Sequence, residues 1–480
     1  YRFVLLLRGR HQEESEHLKH VMLVGAGAAG QMIFRDIKHA KEVKEKVCCF
    51  IDDNPNKWGR YIDGVPVEGG RDEIMRACEK YHIDKIYVVI PSASAEAKKD
   101  ILNLCNHTGC ELMNLPGMYQ LYTGDVTVSN MKEVAVEDLL GRDPIKVNMD
   151  EIFQHLKGKV IMVTGGGGSI GSELCRQIAA HGPKQLIIFD IYENNAYDIQ
   201  LELKKKYPDL NLVVRIGSVR DSRLMFKIFE TYHPEIIYHA AAHKHVPLME
   251  ESPNEAIKNN VLGTWKIVQA ADRYHVKRFV MISTDKAVNP TNIMGASKRI
   301  CEMIIQTYNK RSETEYVAVR FGNVLGSNGS VIPYFRKQIQ EGGPVTVTDP
   351  GITRFFMTIP EACRLVMEAA TMSTGNQIFV FDMGEPVKIV DLAEKMIRLA
   401  GYIPGEDIKI KFTGLRPGEK LYEEVLSNEE NTVPTDHYKI RIAKVREYKW
   451  DEILASYDKL AELALSVKIE DTVRLMKQVV

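Results

Sequence analysis

The sequence shows no excess of charge of either sign. Lysine and arginine together number 63, and aspartate and glutamate 64, in a chain of 480 residues. A chain this balanced has no overall field that would attract nucleic acid or an acidic membrane surface. We therefore expect no nucleic acid among its partners. The length is too great for one ordinary core and predicts two or three domains.

Closely paired cysteines are also missing. The chain has eight cysteines, and none of them forms a Cys-x-x-Cys pair. In a chain this long, isolated cysteines are typical of reduced, mostly buried thiols in a cytosolic compartment. The spacing predicts no zinc site, and we expect no other metal site.

No apolar run is long enough to cross a membrane. Residues 3–7 are apolar, but Arg8 and Arg10 follow them. The run is far shorter than the roughly 20 residues that a spanning helix needs. It also lacks a signal-peptide cleavage pattern. We predict a linker at residues 1–18, and because the first residue is Tyr1, we expect the chain to be a piece of a longer protein.

Strands and helices alternate along most of the chain, which predicts an α/β fold with two Rossmann-like, doubly wound parallel sheets in tandem. The first series covers residues 19–125, and a connector follows at 126–158. The second series is expected to form the nucleotide-binding part at 159–325, with six or seven strands. Glycine and proline become frequent beyond it, so a smaller lobe is predicted mainly at 326–480.

A glycine-rich turn opens the second series. Three glycines, Gly165, Gly168 and Gly171, follow an apolar run and precede a predicted helix. A dinucleotide diphosphate needs a tight turn, a backbone without Cβ atoms and the free N–H groups of a helix N-terminus. Asp190 ends the next strand, where a carboxylate binds adenosine ribose and favours NAD over NADP. The residues that this pattern and the small residues after a later strand assign to NAD are Gly165, Gly168, Ser169, Ile170, Gly171, Asp190, Ala240, Ala241 and Ala242.

A similar turn opens the first series. Gly25, Gly27 and Gly30 have dinucleotide-binding spacing, and Asp52 or Asp53 follows at a suitable distance. The spacing is compatible with a second nucleotide site, a regulatory site or a retained fold without a ligand. The sequence leaves all three open.

Reactive side chains gather after one of the later strands. Thr284, Asp285 and Lys286 place a hydroxyl, an acid and a base side by side, and Lys298 follows on the next helix, one turn after Met294. Ligands bind at the carboxyl ends of the strands in such sheets. The segment therefore predicts catalytic groups, although an acid beside a lysine at a strand end can also be a surface ion pair.

This segment resembles the extended short-chain dehydrogenase/reductases, whose signature is Tyr-x-x-x-Lys after a strand that bears Ser or Thr. Met294 stands at the tyrosine position and Lys298 at the lysine position. Asp285 and Lys286 stand where hexose 4,6-dehydratases of that group have an acid and a base. With Thr284 and Met294, they resemble the large bacterial UDP-N-acetylglucosamine 4,6-dehydratases of capsule, O-antigen and protein-glycan synthesis. The resemblance runs from about residue 20 to 440 and is also carried by segments 239–250, 320–327, 353–358 and 415–420.

The resemblance implies an NAD-dependent hydro-lyase that acts on UDP-N-acetylglucosamine, with the configuration at C5 retained. It implies that Lys298 binds the nicotinamide ribose, Thr284 the 4-hydroxyl, and that Asp285 protonates the departing 6-hydroxyl. Lys286 would take the C5 proton, and a lysine base must be neutral, so we expect its pKa to lie well below about 10.4. Met294 cannot carry a proton. The proton path at O4 is left open between Thr284, water and the substrate.

Substrate contacts are implied by the same resemblance. A nucleotide diphosphate needs cationic donors with several N–H groups, which arginine supplies. Each arginine can otherwise be ordinary surface charge, and the two histidines beside Lys244 can equally be structural. The residues assigned to the substrate are Lys244, His245, Asn323, Arg336, Arg354, Arg416 and Glu419.

The large enzymes of this family carry their first domain behind several transmembrane helices. The resemblance therefore implies that this chain is the soluble part, on the cytoplasmic side of the bacterial inner membrane, and that it forms homo-oligomers. Two other functions stay open. A UDP-sugar 4-epimerase shares the fold and the hydride step but needs no acid–base pair for elimination. A regulator that binds NAD and a UDP-sugar without turnover would account for Met294.

Overall fold

The computed structural model describes residues 18–39, 44–115, 128, 131–140, 145, 147–424 and 432–480. The chain divides into two compact units, residues 1–143 with 392–409, and residues 144–391 with 410–480. Apart from Leu18, the predicted linker lies outside the described residues, as do parts of the predicted connector. Residues 392–409 fell within the predicted substrate lobe, but they group with the first unit. None of the helices in the described ranges is long and apolar enough to cross a membrane.

The first unit contains a seven-stranded sheet. Its strands are β1 (Lys19–Val24), β2 (Glu45–Ile51), β3 (Tyr61–Ile62), β4 (Val65–Gly69), β5 (Lys85–Val88), β6 (Glu111–Asn114) and β7 (Lys132–Glu133). They are ordered β3-β4-β2-β1-β5-β6-β7. The five central strands, β4, β2, β1, β5 and β6, are parallel, while β3 and β7 pair antiparallel at the two edges. The helices are α1 (Ala28–His39), α2 (Ile74–Tyr81) and α3 (Ala95–Asn106), with short 3₁₀ turns at 55–57, 71–73 and 138–140.

The second unit contains a nine-stranded sheet. Its strands are β8 (Val160–Thr164), β9 (Gln185–Asp190), β10 (Leu212–Ile216), β11 (Ile236–His239), β12 (Arg278–Ile282), β13 (Glu315–Arg320), β18 (Gln377–Phe381), β21 (Thr432–Pro434) and β22 (Ile440–Ala443). The order β10-β9-β8-β11-β12-β13-β18-β22-β21 begins with seven parallel strands and ends with two antiparallel ones. The seven parallel strands agree with the predicted six- or seven-stranded doubly wound sheet. The antiparallel β22 and β21 were not predicted, because they lie beyond the part of the sequence where strands and helices alternate regularly.

Three two-stranded ribbons complete the second unit and lie in the segments after β13. They pair β14 (Asn323–Val324) with β17 (Phe356–Met357), β15 (Val345–Val347) with β20 (Ile410–Phe412), and β16 (Thr353–Arg354) with β19 (Val387–Lys388). These pairings connect segments far apart in sequence. They anchor the predicted substrate lobe beside the sheet.

Helices lie before, between and after the strands of the second sheet along the chain. They are α4 (Met149–Leu156), α5 (Ser169–Ala179), α6 (Glu193–Lys206), α7 (Ser222–Tyr232), α8 (Val246–Glu251), α9 (Pro253–Ala256), α10 (Gly263–Arg273), α11 (Ile293–Asn309), α12 (Val331–Gln340), α13 (Ile359–Met372), α14 (Ile389–Leu399), α15 (Trp450–Leu465) and α16 (Ile469–Val479), with a π-helical turn at 257–262 and a 3₁₀ turn at 285–287. Most of α14 lies in residues 392–409, which belong to the first unit.

The centre of the second sheet is almost wholly apolar. Every residue of β8 and β11 is buried, as expected for parallel strands covered on both faces. The strand order reverses between β8 and β11, and such a switch point leaves a crevice at the carboxyl ends of the strands. The predicted α/β fold with parallel sheets is confirmed, and the crevice is where a ligand site is expected.

Candidate functional site

A cavity of about 1010 Å³ opens at the carboxyl edge of the second sheet. This volume is at the upper end of the roughly 300–1,000 Å³ range for small-molecule sites. The cavity is lined by the turn after β8, the segment after β12, the start of α11 and the ribbons of the lobe. The predicted cofactor, catalytic and substrate residues therefore converge on one place. Those that line the cavity are Gly165, Gly168, Ser169, Ile170, Gly171, Ala240, Ala242, Lys244, His245, Thr284, Lys286, Met294, Lys298, Asn323, Arg354, Arg416 and Glu419.

The glycine-rich turn leaves no room for side chains at two of its positions. Gly165 has φ of +67°, and a Cβ there would lie 2.7 Å from the backbone nitrogen of Ala241. A Cβ on Gly171 would overlap the carbonyl oxygen of Gly165. Helix α5 begins at Ser169, and the first N–H groups of a helix have no partner within it. The turn therefore fits a dinucleotide diphosphate, which needs a bare backbone and N–H donors.

Asp190 stabilises this turn. Its Oδ2 accepts the N–H of Gly167 at 2.8 Å, and its Oδ1 accepts the N–H of Tyr192 at 2.9 Å. The residue is buried and is not one of those that line the cavity. Each carboxylate oxygen can accept a second hydrogen bond, so the ribose contact stays a prediction. The contact with Gly167 is a structural role that the sequence did not predict.

Thr284 organises the predicted catalytic segment, residues 284–286. Its Oγ1 accepts the backbone N–H of Lys286 at 3.3 Å and caps the 3₁₀ turn at 285–287. The same hydroxyl donates to Oδ1 of Asp285 at 2.8 Å. Asp285 is buried just behind the cavity wall, and its N–H donates to the carbonyl of Phe321 at 3.2 Å. The hydroxyl at the cavity is thus in direct contact with a buried carboxylate.

Lys286 is held between two carboxylates. Its Nζ lies 3.1 Å from Oδ1 of Asp285 and 3.3 Å from Oε1 of Glu423. Burial acts to lower the pKa of Lys286, but the negative charges of Asp285 and Glu423 outweigh it and raise the pKa above its ordinary value. The expectation of a lowered pKa was therefore wrong. It followed from the requirement that a lysine base be neutral, and it did not include Glu423.

Glu423 is the main site residue that the sequence did not reveal. It is buried and follows the 415–420 motif, directly before Glu424. The neighbouring Glu424 is partly exposed and accepts a hydrogen bond from Nδ2 of Asn289 at 2.9 Å. Nothing in the local sequence distinguishes the two glutamates. Only the packing of the segment places one of them against Lys286.

Lys298 and Met294 lie one turn apart on α11, as the sequence predicted. Nζ of Lys298 donates to the carbonyl of Ile282 at 2.9 Å, and burial lowers the pKa of this lysine. Met294 is buried at the cavity wall, where the short-chain dehydrogenase/reductase signature has tyrosine. Its thioether offers no proton. Any proton path at this wall has to run through other groups.

A buried ion pair lies next to the predicted catalytic segment. Nε and Nη2 of Arg320 contact the two carboxylate oxygens of Glu302 at 2.8 and 2.7 Å, and both side chains are fully buried. Oγ of Ser283 donates to Glu302 at 2.7 Å. Burial acts to raise the pKa of Glu302, but the charge and hydrogen bonds of Arg320 lower it. The pair ties α11 to the ends of β12 and β13, and the sequence did not predict it.

The predicted substrate residues occupy different environments. Arg354 is buried and donates to Oε1 of Glu419 at 3.2 Å, and Oε2 of Glu419 accepts the N–H of Arg416 at 3.2 Å. The Arg416 side chain is exposed at the cavity rim. Arg336 is exposed on α12 and is not among the residues that line the cavity. The structure therefore brings Arg354 and Arg416 to the site and leaves Arg336 outside it.

The 415–420 motif is hydrogen-bonded to residues that follow the predicted catalytic segment. The carbonyl of Gly418 accepts Nδ2 of Asn292 at 3.2 Å, and Nζ of Lys420 donates to the carbonyl of Val288 at 3.2 Å. These contacts hold the predicted substrate residues of the lobe against the residues that follow β12.

The glycine-rich turn of the first unit has a similar local geometry. The N–H of Ala26 donates to Oδ2 of Asp52 at 2.8 Å, as Gly167 does to Asp190 in the second unit. Asp52 also pairs with Nζ of Lys57 at 2.7 Å. The three possibilities for this turn stay open. Across the described ranges, no group of three or more His, Cys, Asp or Glu is arranged to hold a metal ion.

Comparison with known proteins finds two matching family models, two similar sequences and one similar solved structure. Residues 161–445 match the family described as polysaccharide biosynthesis protein, and residues 1–116 match a CoA-binding domain. The chain is 46% identical over 443 residues to the probable polysaccharide biosynthesis protein EpsC of Bacillus subtilis (strain 168), covering 92% of this chain and 74% of that one. It is 38% identical over 280 residues to a UDP-glucose 4-epimerase of Rickettsia rickettsii (strain Sheila Smith), covering 57% and 79%. The X-ray structure of Pen from Bacillus thuringiensis is similar with a TM-score of 0.56 and 36% identity, covering 61% and 91%.

Proposed function

Because this chain belongs to the polysaccharide biosynthesis protein family, we propose that it is an NAD-dependent dehydratase of UDP-N-acetylglucosamine. The product would be a UDP-4-keto-6-deoxy-N-acetylhexosamine with its C5 configuration retained, for surface polysaccharide or glycoprotein synthesis. The observation that carries this proposal is the contact of Thr284 and Lys286, which line the cavity, with Asp285, which is buried behind its wall. Elimination of water requires an acid and a base, and these residues supply both.

When bound, NAD supplies the chemistry of accepting hydride from C4 of the sugar and returning it to C6. The turn from Gly165 to Gly171 would hold its diphosphate, because a bare backbone and helix N–H groups meet there. Lys298 would bind the nicotinamide ribose. Arg354 and Arg416 would contact the diphosphate of the sugar nucleotide or its uridine ribose, and Glu419 the ribose.

The hydrogen bond from Thr284 to Asp285 offers a proton path that does not need a tyrosine. The proton of O4 would pass to Oγ1 of Thr284 while Thr284 passes its own proton to Asp285, 2.8 Å away. Asp285, now a carboxylic acid, would give that proton to O6 as the C6–O6 bond breaks and water leaves. One proton thus enters the relay from O4, and one proton leaves it in the water molecule. Met294 then has no proton to carry.

Lys286 would take the C5 proton during elimination and return it to the same carbon afterwards. It must first pass to water in the cavity, which it lines, the proton that its two carboxylate partners stabilise on it. Protonation of Asp285 removes the larger of the two negative charges' effects that raise the pKa of Lys286. The Thr284 path therefore prepares the acid and favours release of the proton from the base in one event.

We predict that Thr284→Val lowers kcat for water loss by roughly 100-fold, since one group that relays protons is removed. The change is nearly isosteric and should leave NAD⁺ affinity unchanged. The matched control is Thr291→Val, which removes an exposed hydroxyl that donates to Gly418 at 3.4 Å. Steady-state product formation, followed by mass spectrometry, measures the effect. A Thr284→Val protein with the parent rate would show that O4 loses its proton elsewhere.

We predict that Gly171→Ala abolishes NAD⁺ binding, because a Cβ at this position overlaps the carbonyl oxygen of Gly165. Gly27→Ala is the control, since a Cβ there meets nothing within 4 Å. Calorimetric titration with NAD⁺ measures affinity, and circular dichroism checks the fold. Parent affinity in Gly171→Ala would place the dinucleotide away from this turn.

The test of the whole proposal is the mass of the product formed from UDP-N-acetylglucosamine with and without NAD⁺. Loss of one water supports the dehydratase. The similarity to a UDP-glucose 4-epimerase favours epimerisation as the second candidate, and unchanged mass with a new epimer would support it instead. Binding without any reaction would contradict both and favour a regulator.

A further inference from the structure

Lys286 has two carboxylate partners, and the proposed elimination uses only Asp285. We infer that Glu423 is a positioning residue for this reaction, which holds Nζ of Lys286 in place and keeps a negative charge against it until the base is needed. The inference rests on the proposed function for its catalytic meaning. The contact itself stands on geometry, since Oε1 of Glu423 lies 3.3 Å from Nζ of Lys286.

The burial of these groups makes the contact strong. The side chains of Asp285 and Glu423 are 0% and 3% exposed, and that of Lys286 is 14% exposed. Opposite charges attract more strongly where water is largely excluded. Lys286 also lines the cavity, so a ligand bound there can contact it while the two carboxylates hold it.

Each carboxylate keeps one oxygen without a partner. Oδ2 of Asp285 and Oε2 of Glu423 are buried and make no hydrogen bond with any described residue. A buried polar atom without a hydrogen bond costs stability. Two such oxygens beside the same lysine are difficult to explain as an adaptation for stability. They are consistent with carboxylates that are kept beside Lys286 for their charge.

The charges around Lys286 define what Glu423 contributes. Asp285 acts from the same segment and Glu423 from the segment after the 415–420 motif, while Arg354 opposes them from β16, with its Nε 3.7 Å from Glu423. The neutral Oδ1 of Asn323 lies 3.5 Å from Nζ. Without the charge of Glu423, one carboxylate and one arginine would remain. The ammonium form would then be less favoured, and Lys286 would lose its proton at lower pH.

The test is Glu423→Gln, which keeps the shape and removes the charge. The first measurement is the pH dependence of deuterium incorporation at C5 of UDP-N-acetylglucosamine, in D₂O with NAD⁺. The second is the pH dependence of Lys286 acetylation by acetic anhydride, read by peptide mass spectrometry, which needs no turnover. We expect the midpoint of both profiles to fall by about one pH unit, the smaller end of the effect of a nearby opposite charge. Below the midpoint, acetylation should rise about tenfold.

Glu424→Gln is the matched control on the same segment. Glu424 contacts Lys420 at 3.4 Å and Asn289 at 2.9 Å, so its loss should leave both midpoints in place. Glu423→Asp is the second variant, in case the glutamine form does not fold. It withdraws the carboxylate by one methylene, and we expect a smaller shift in the same direction.

The outcomes separate this inference from the proposed function. Shifted midpoints in both profiles support the inference. A shifted acetylation midpoint in a protein whose parent form catalyses no exchange supports the role of Glu423 and contradicts the dehydratase. A lower exchange rate with both midpoints unchanged, in Glu423→Gln or Glu423→Asp, overturns the inference and leaves Glu423 a structural residue.

Discussion

Replacing Lys286 with alanine is expected to stop the loss of water from UDP-N-acetylglucosamine while NAD⁺ binding persists. Lys286 lines the cavity and contacts the buried Asp285, and its proposed role is to remove the C5 proton. Removal of a general base costs about 10²- to 10⁴-fold in rate. The loss of dehydrated product is measured by mass spectrometry at saturating substrate and NAD⁺.

Two further variants test whether the effect comes from the loss of a base at this position. Lys286→Arg keeps a positive charge that cannot be lost at accessible pH, so it should be as inactive as alanine if the neutral form is required. Lys277→Ala removes an exposed lysine that pairs with Glu235 at the opposite end of β12, and it should behave like the parent. A Lys286→Ala protein that forms product within tenfold of the parent rate would place the C5 base on another residue.

Replacing Arg320 with methionine is expected to lower the free energy of unfolding by about 3 kcal/mol, since breaking a buried ion pair costs roughly 3–5 kcal/mol. Both partners of the Arg320–Glu302 pair are fully buried. Glu302 would keep contacts with Ser283 and with Nη1 of Arg299, at 3.1 Å, which places the effect at the lower end of that range. Urea denaturation measures it.

The double variant Arg320→Met with Glu302→Leu is the control. It removes both charges, and replacement of a whole buried pair by apolar residues is often nearly neutral. We therefore expect the double variant to be more stable than Arg320→Met alone. Equal stability of Arg320→Met and the parent would show that the pair contributes little to folding.

The same pair predicts a pH dependence of stability. Arg320 lowers the pKa of Glu302 in the folded protein below its ordinary value. A lowered carboxyl pKa stabilises the folded state above the ordinary pKa, and that contribution disappears as the pH falls through the folded-state value. The difference in unfolding free energy between the parent and Arg320→Met should therefore be full at neutral pH and shrink in acid.

Local sequence determined the parts of this protein that depend on neighbours along the chain. The turn at Gly165 and Gly171 follows from backbone geometry that only glycine permits in so tight a space. The contact between Thr284 and Asp285 follows from their adjacency at a strand end. The relation of Met294 to Lys298 follows from the helical repeat. The alternation of strands and helices likewise predicted both parallel sheets.

The tertiary structure alone decided which distant residues meet. Glu423 reaches Lys286 from 137 positions away in the chain, while Glu424 beside it faces elsewhere. With Asp285, that contact raises the pKa of Lys286, opposite to the expected direction, and no local pattern encodes it. The pairing of Glu302 with Arg320 has the same origin. Such contacts depend on how the elements pack against each other, so the folded chain sets the protonation state of its proposed base, although the sequence identifies the residue.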